Sequence, residues 1–123
     1  MTVTEFLHAR IAEDESLAHE AIDDHPHWLA DGPDIEQYEG GVSSGLLTNS
    51  RRPQANPHIA NWDPARVLAE CQAKRVTIRA CERGLEVDIA CQEGHSWQFE
   101  TVLYALAAVY ADHPDYQDEW RVG

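Results

Sequence analysis

Hydrophobic positions recur at helical spacing in three stretches of the chain and lose that spacing in a fourth. In the first, Val3, Phe6, Leu7, Ile11, Leu17, Ala18, Ala21 and Ile22 gather on one broad face when successive residues are rotated by about 100°. This predicts a helix from about residue 4 to residue 22, and Thr2 with Glu5 has the spacing of a capping box at its start. Arg10 and Asp14 fall inside the apolar arc, one helical turn apart. The expectation is a partly buried ion pair that fixes how the helix packs; the alternative is a rotated helix that carries the pair on its rim.

The second stretch, HIANWDPARVLAECQAKRVTIRACER from His58 to Arg83, is punctuated most clearly. Asp63 followed by Pro64 is a strong helix start, because Asp accepts from the open amides of the first turn and Pro at the first position loses no hydrogen bond. Val67, Leu68, Cys71 and Ile78 form its core face, and Gly84 is read as its stop, giving a central helix over about 64–83. Just ahead of it, Pro57 to Trp62 reads as a short helical turn in which Ile59 and Trp62 cap the core. After Gly84, Leu85 to Cys91 alternates apolar and acidic residues, as a strand would, or extends the helix beyond a kink.

The third stretch, about residues 96–111, buries Phe99, Val102, Leu103, Leu106, Ala107 and Tyr110, with Ala105 and Ala108 small enough for a close neighbour. Pro114 forbids its continuation, and a tail over 112–123 remains. Between the first two helices, residues 23–57 hold most of the Gly and Pro. Two segments there, Asp31 to Tyr38 and Val42 to Asn49, are spaced to pair across a turn at Gly40 and Gly41, with Trp28 and Leu29 anchoring the start of the region. The expected architecture is mainly α: one domain over 1–123, a small three-helix bundle with a long irregular or short β-hairpin insertion between helices 1 and 2.

Charge changes this picture along the chain more than in total. The 22 acids and 9 bases give a formal charge of −13, which opposes passive attraction to nucleic acid or anionic membrane. Residues 1–50 hold 11 acids and one base, 51–83 hold 7 bases and 3 acids, and 84–123 hold 8 acids and one base. The basic middle predicts pairing of Arg66, Lys74, Arg75, Arg79 and Arg83 with acids of the flanking helices. A phosphate-binding stripe is disfavoured, since the surrounding field is negative and no aromatics interleave with the arginines. No apolar run nears the roughly 18 residues of a membrane span, and no signal-peptide pattern opens the chain, so a cytoplasmic location is expected.

Candidate chemistry is sparse. Cys71, Cys81 and Cys91 lack CxxC spacing and read as reduced thiols. His25 and His27 form an HxH pair near Asp23 and Asp24, and Cys91 with His95 is another loose pair; neither offers the three or four converging ligands a metal needs. No nucleophile stands beside His58. No cofactor and no catalytic residue is therefore assigned. In the tail, Asp112, His113, Asp115, Tyr116 and Trp120 are read either as a helix stop with aromatic latches or as a partner-binding cluster.

Three blocks, EFLHARIAEDE, HIANWDPARVLAECQAKR and ALAAVYADHPDYQDEW, resemble those of an uncharacterised domain-of-unknown-function family of small actinobacterial and actinobacteriophage proteins. The resemblance implies an intracellular setting and an association with mobile elements, and brings no activity or cofactor. Members that carry a Cys ahead of the last helix suggest metal; Glu100 stands before Thr101 here. The leading functional expectation is a non-enzymatic interaction factor of phage or phage-derived origin that binds an unidentified host or phage protein through residues 28–56 or the tail. The alternatives are an acidic DNA mimic presenting Glu13, Asp14, Glu15, Glu20, Asp23 and Asp24, and a metal-dependent or acid/base enzyme.

Overall fold

The computed structural model describes residues 1–40, 42–91, 94 and 96–122. Its elements in chain order are α1 (Val3–Glu20), β1 (His27–Asp31), β2 (Asp34–Glu39), β3 (Val42–Asn49), α2 (Asn56–Asn61), α3 (Pro64–Cys91) and α4 (Ser96–Ala108), with short 3₁₀ turns at Pro53–Ala55 and Asp118–Trp120. The fold is mostly helical, as the periodicity predicts, but it is not a plain three-helix bundle, because the insertion between helices 1 and 2 is a three-stranded antiparallel sheet. The chain divides into two compact units, Asp14–Cys71 and Met1–Glu13 with Gln72–Gly123.

The unit made from the two chain ends contains the first turns of α1, most of α3, α4 and the tail. Its helix start is the expected capping box: Glu5 N–H donates to Thr2 Oγ1 and Thr2 N–H donates to Glu5 Oε2, each at 3.2 Å. Phe6, Leu7, Ile11, Ile78, Cys81, Leu103 and Ala107 are buried. Each of the larger ones contributes about 1.5–3 kcal/mol by removal from water. Val102, predicted to be buried, is exposed.

Gly84 does not stop the central helix. α3 runs on to Cys91, and the strand-like reading of 85–91 is corrected with it. Burial shows why: Cys81 and Asp88 are buried while Val87 and Ile89 are exposed, Ile89 at 76%. That is the period of a helix and the inverse of an alternating strand. Gly84 serves close approach instead, since a Cβ there would collide with the Phe99 ring of α4. α4 ends three residues before the predicted 111; beyond it the amides of Tyr110, Ala111, His113 and Tyr116 bond three residues back, as in Tyr110 N–H to Ala107 O and His113 N–H to Tyr110 O, both at 2.9 Å. Arg66 Nε lies 3.6 Å from Glu70 within its own helix, and Lys74 donates to the Tyr110 hydroxyl at 3.0 Å.

The other unit holds the end of α1, the sheet, α2 and the first turns of α3. Leu17, expected on the apolar face of α1, is exposed, whereas Ala18 is buried. Sheet order is β1-β2-β3. β3 has the predicted bounds, while the predicted strand Asp31–Tyr38 is split: β1 ends at Asp31, and Gly32 at φ 57° turns the chain into β2 before Pro33, which has no amide to give a ladder. Gly41, half of the predicted second turn, lies outside the described residues.

Ile35 and Gln37 are buried on one face of the sheet, on the side of half-buried Trp28 and Ala30. Gln37 Oε1 accepts from the amides of Asp24 (3.0 Å) and His25 (3.3 Å), tying down the segment that leaves α1. In α2, Ile59 and Trp62 were expected to cap the core; both are exposed, and the buried residues are Asn56 and Ala60. Asn56 Nδ2 donates to the Gly32 carbonyl at 2.9 Å, so this helix start is pinned to the β1–β2 turn.

Candidate functional site

The tail residues singled out from the sequence converge on Phe6, at the start of α1. The rings of Tyr110, His113, Tyr116 and Trp120 have centroids 6.3, 5.7, 6.0 and 5.1 Å from that of Phe6. Phe6 is fully buried and Trp120 only 3% exposed, so the latch reading of the tail holds. Trp120 as an exposed anchor for a partner is corrected, because its apolar surface is already spent on its own fold. Arg10 lies over the same ring, 5.3 Å from its centroid, and is only 7% exposed.

Arg10 organises the polar side of this cluster. Nη2 donates to Glu13 Oε1 at 2.9 Å, Nη1 stands 2.7 and 2.5 Å from Nδ1 and Nε2 of His113, and Asp115 Oδ2 is 3.8 Å away. Glu13, beside the expected partner Asp14, thus gives Arg10 a carboxylate on its own helix, and Asp14 is half-buried further along α1. The Asp115 amide donates to His113 Nδ1 at 3.0 Å, and Gln117 Nε2 donates to the Met1 carbonyl at 3.1 Å. A neutral imidazole has one acceptor nitrogen, so His113 in this arrangement is a hydrogen-bond acceptor that receives the tail amide and the guanidinium. Asp112 is exposed in the preceding turn. The cluster is a clasp between the chain ends, built from His113, Asp115, Tyr116 and Trp120 but closed by Arg10, Glu13 and Phe6.

The second site lies in the sheet-containing unit. An open cleft of about 670 Å³ is lined by β1, α2 and the start of α3. Asp63 is buried at its base: Oδ1 accepts from Arg66 N–H at 2.8 Å as the helix cap, Oδ2 from Trp28 N–H at 3.2 Å, and His27 Nδ1 is 3.8 Å away. The predicted cap therefore also pins β1. Arg66 is stacked over Trp62 at 4.3 Å, and His27 lies 5.7 Å from the Tyr38 ring. Among the described residues no Ser, Thr or Cys lines the cleft.

His25 and His27 do not converge. His25 Nδ1 faces Glu39 Oε2 at 3.4 Å, whereas His27 faces Asp63. Among the described residues no group of three or more His, Cys, Asp or Glu is placed to hold a metal ion. The Cys91 and His95 pair cannot be placed, since His95 lies outside the described residues; Cys91 is exposed. Cys71 and Cys81 are buried, and burial, then the neighbouring Glu82, pushes the Cys81 thiol up from its ordinary value. Among the described residues no helix is long and apolar enough to cross a membrane.

The third feature is the strand predicted over Val42 to Asn49, within the region 28–56 expected to meet a partner. β3, VSSGLLTN, has no charged residue, is exposed at all positions but half-buried Leu47, and presents Val42 at 70% and Leu46 at 57% exposure. Among the described residues its ladder runs to β2 on one side only, whereas the outer edge of β1 is occupied: Trp28 N–H meets Asp63, and Pro26 O accepts from Ala65 N–H at 3.0 Å. The signal was present as a run of eight uncharged residues in a chain that is one quarter charged. No curated protein and no solved structure matches the chain. A family model does match, over residues 1–122, and by that match the chain belongs to a family of unknown function, DUF6221.

Proposed function

We propose that the protein is a non-enzymatic interaction factor that engages a partner protein through the open edge of its sheet. The observation that supports this is β3, an uncharged and exposed edge strand with one side of its backbone unpaired in the sheet. Natural sheets blunt such edges with Lys, Pro or cover, because an open row of amides and carbonyls invites another strand. Two bulges, where Leu47 and Ser44 drop out of register with β2, bend this edge without supplying a charge. The tail, the other expected contact, is already committed to the clasp around Phe6. In the mobile-element setting that the sequence blocks resemble, the partner is a host or phage protein met in the cytoplasm.

The test is affinity capture from host lysate with the natural chain and with a Val42→Lys, Leu46→Lys variant. A specific protein held by the natural chain and lost by the variant is expected. Equal recovery by both, or recovery of no specific protein, would sink the reading. The acidic-mimic alternative gains no comparable support, since Glu13 is bonded to Arg10 and the carboxylate of Asp23 takes a hydrogen bond from Gln37.

A further inference from the structure

The charge around the open edge says what kind of strand fits there. Residues 11–50 contain ten acids and no Lys or Arg. The register places Asp31 opposite Asp34 and puts Leu29, Glu36 and Leu46 in one row across the three strands. Because side chains alternate between faces, Asp31, Asp34 and Glu36 share the face that carries Leu29 and Leu46. No cation pairs with those three carboxylates among the described residues. One face therefore presents exposed leucines among uncompensated acids, and its edge strand has no charge of its own to oppose a newcomer.

We propose that β3 takes, as a fourth strand of the sheet, an extended partner segment that alternates basic and apolar side chains. This rests on the edge-strand reading above and adds the class of partner. Main-chain pairing with β3 puts the incoming backbone about 10 Å from β2, two strand spacings away. On the face that carries Leu46, a Lys or Arg lays its aliphatic stem along that side chain and reaches Glu36, while the apolar residues of the segment alternate onto the other face, beside Val42. A second copy of this chain is disfavoured at the same edge, since it would bring Asp34 and Glu36 toward their own counterparts.

The experiment is fluorescence anisotropy of the full chain with three labelled, end-blocked octapeptides that alternate valine with lysine, glutamine or glutamate. The lysine probe is expected to bind best. Its affinity should fall at least about fivefold as salt is raised from about 0.05 to about 0.5 M. An Asp34→Lys, Glu36→Lys variant should weaken it about tenfold, with Asp34→Asn, Glu36→Gln intermediate. Circular dichroism of each variant checks that the fold is retained. If the glutamine probe binds as well as the lysine probe, the basic class fails while the edge reading stands. If no probe binds, or Leu46→Lys leaves binding of the lysine probe unchanged, both fail. Sedimentation showing a dimer that Leu46→Lys dissolves would make the occupant a second copy and overturn the proposal.

Discussion

Arg10 shows how much a single buried cation can carry. Its guanidinium joins α1 to the tail through His113 and bonds Glu13 on its own helix while its face lies on Phe6, so Arg10→Ala removes hydrogen bonds and packing together. A loss of about 1.5–3 kcal/mol is expected from the charged hydrogen bonds, measured by urea denaturation. Asp115→Asn, at a carboxylate that is mostly exposed and 3.8 Å away, should cost no more than about 1 kcal/mol. Thiols give a second residue-scale prediction. Exposed Cys91 should react with a disulfide reagent at once, and buried Cys81 only slowly in the folded chain. Because its thiol is pushed up on folding, the folded state holds that proton to higher pH than the unfolded chain. Its contribution to stability is intact below the ordinary thiol value and is lost as pH rises from there through the raised value of the folded state, so Cys81→Ala should flatten the alkaline limb of the stability profile.

Among the elements, those whose ends are set by neighbouring residues were legible in the sequence. Thr2 with Glu5 and Asp63 with Pro64 act within one turn, and β3 lies between its predicted bounds, because caps and alternation are local chemistry. Features that depend on a distant residue were not. Gly84 signals a stop in isolation, yet Phe99, fifteen positions on, turns it into a contact glycine inside a continuous helix. This predicts that Gly84→Ala destabilises by about 1–3 kcal/mol through overpacking, against the roughly 1 kcal/mol that Ala would gain as a better helix former. Thermal unfolding of Gly84→Ala with Phe99→Leu should recover most of that loss; equal loss in the single and double variants would show that the ring is not the cause. Asp63 combines both kinds of information. Its capping role was visible, but its bond to Trp28 N–H was not, so Asp63→Ala should cost more than a lone cap, about 2 kcal/mol or more, and Asp63→Asn much less.

For the whole molecule, the segregation of charge was plain in the sequence, but the way it is compensated was not. Arg66 turns to Glu70 on its own helix and Lys74 to a tyrosine, while Asp31, Asp34 and Glu36 meet no cation among the described residues. With a net charge of −13, self-repulsion then outweighs the exposed ion pairs that salt would weaken. Screening should therefore stabilise the protein. Raising monovalent salt from about 0.05 to about 0.5 M shortens the Debye length from roughly 14 Å to roughly 4 Å, which removes repulsion between separated carboxylates but leaves contacts such as Arg10 with Glu13 largely intact. A rise in Tm of a few degrees is expected, equivalent to about 1 kcal/mol for a chain of this size. The Asp34→Asn, Glu36→Gln variant should start from a higher Tm at low salt and gain less from added salt. A Tm that falls with salt in the natural chain would mean that attractive pairs dominate, and the sheet face could not then be the uncompensated acidic surface on which a basic strand is expected to dock.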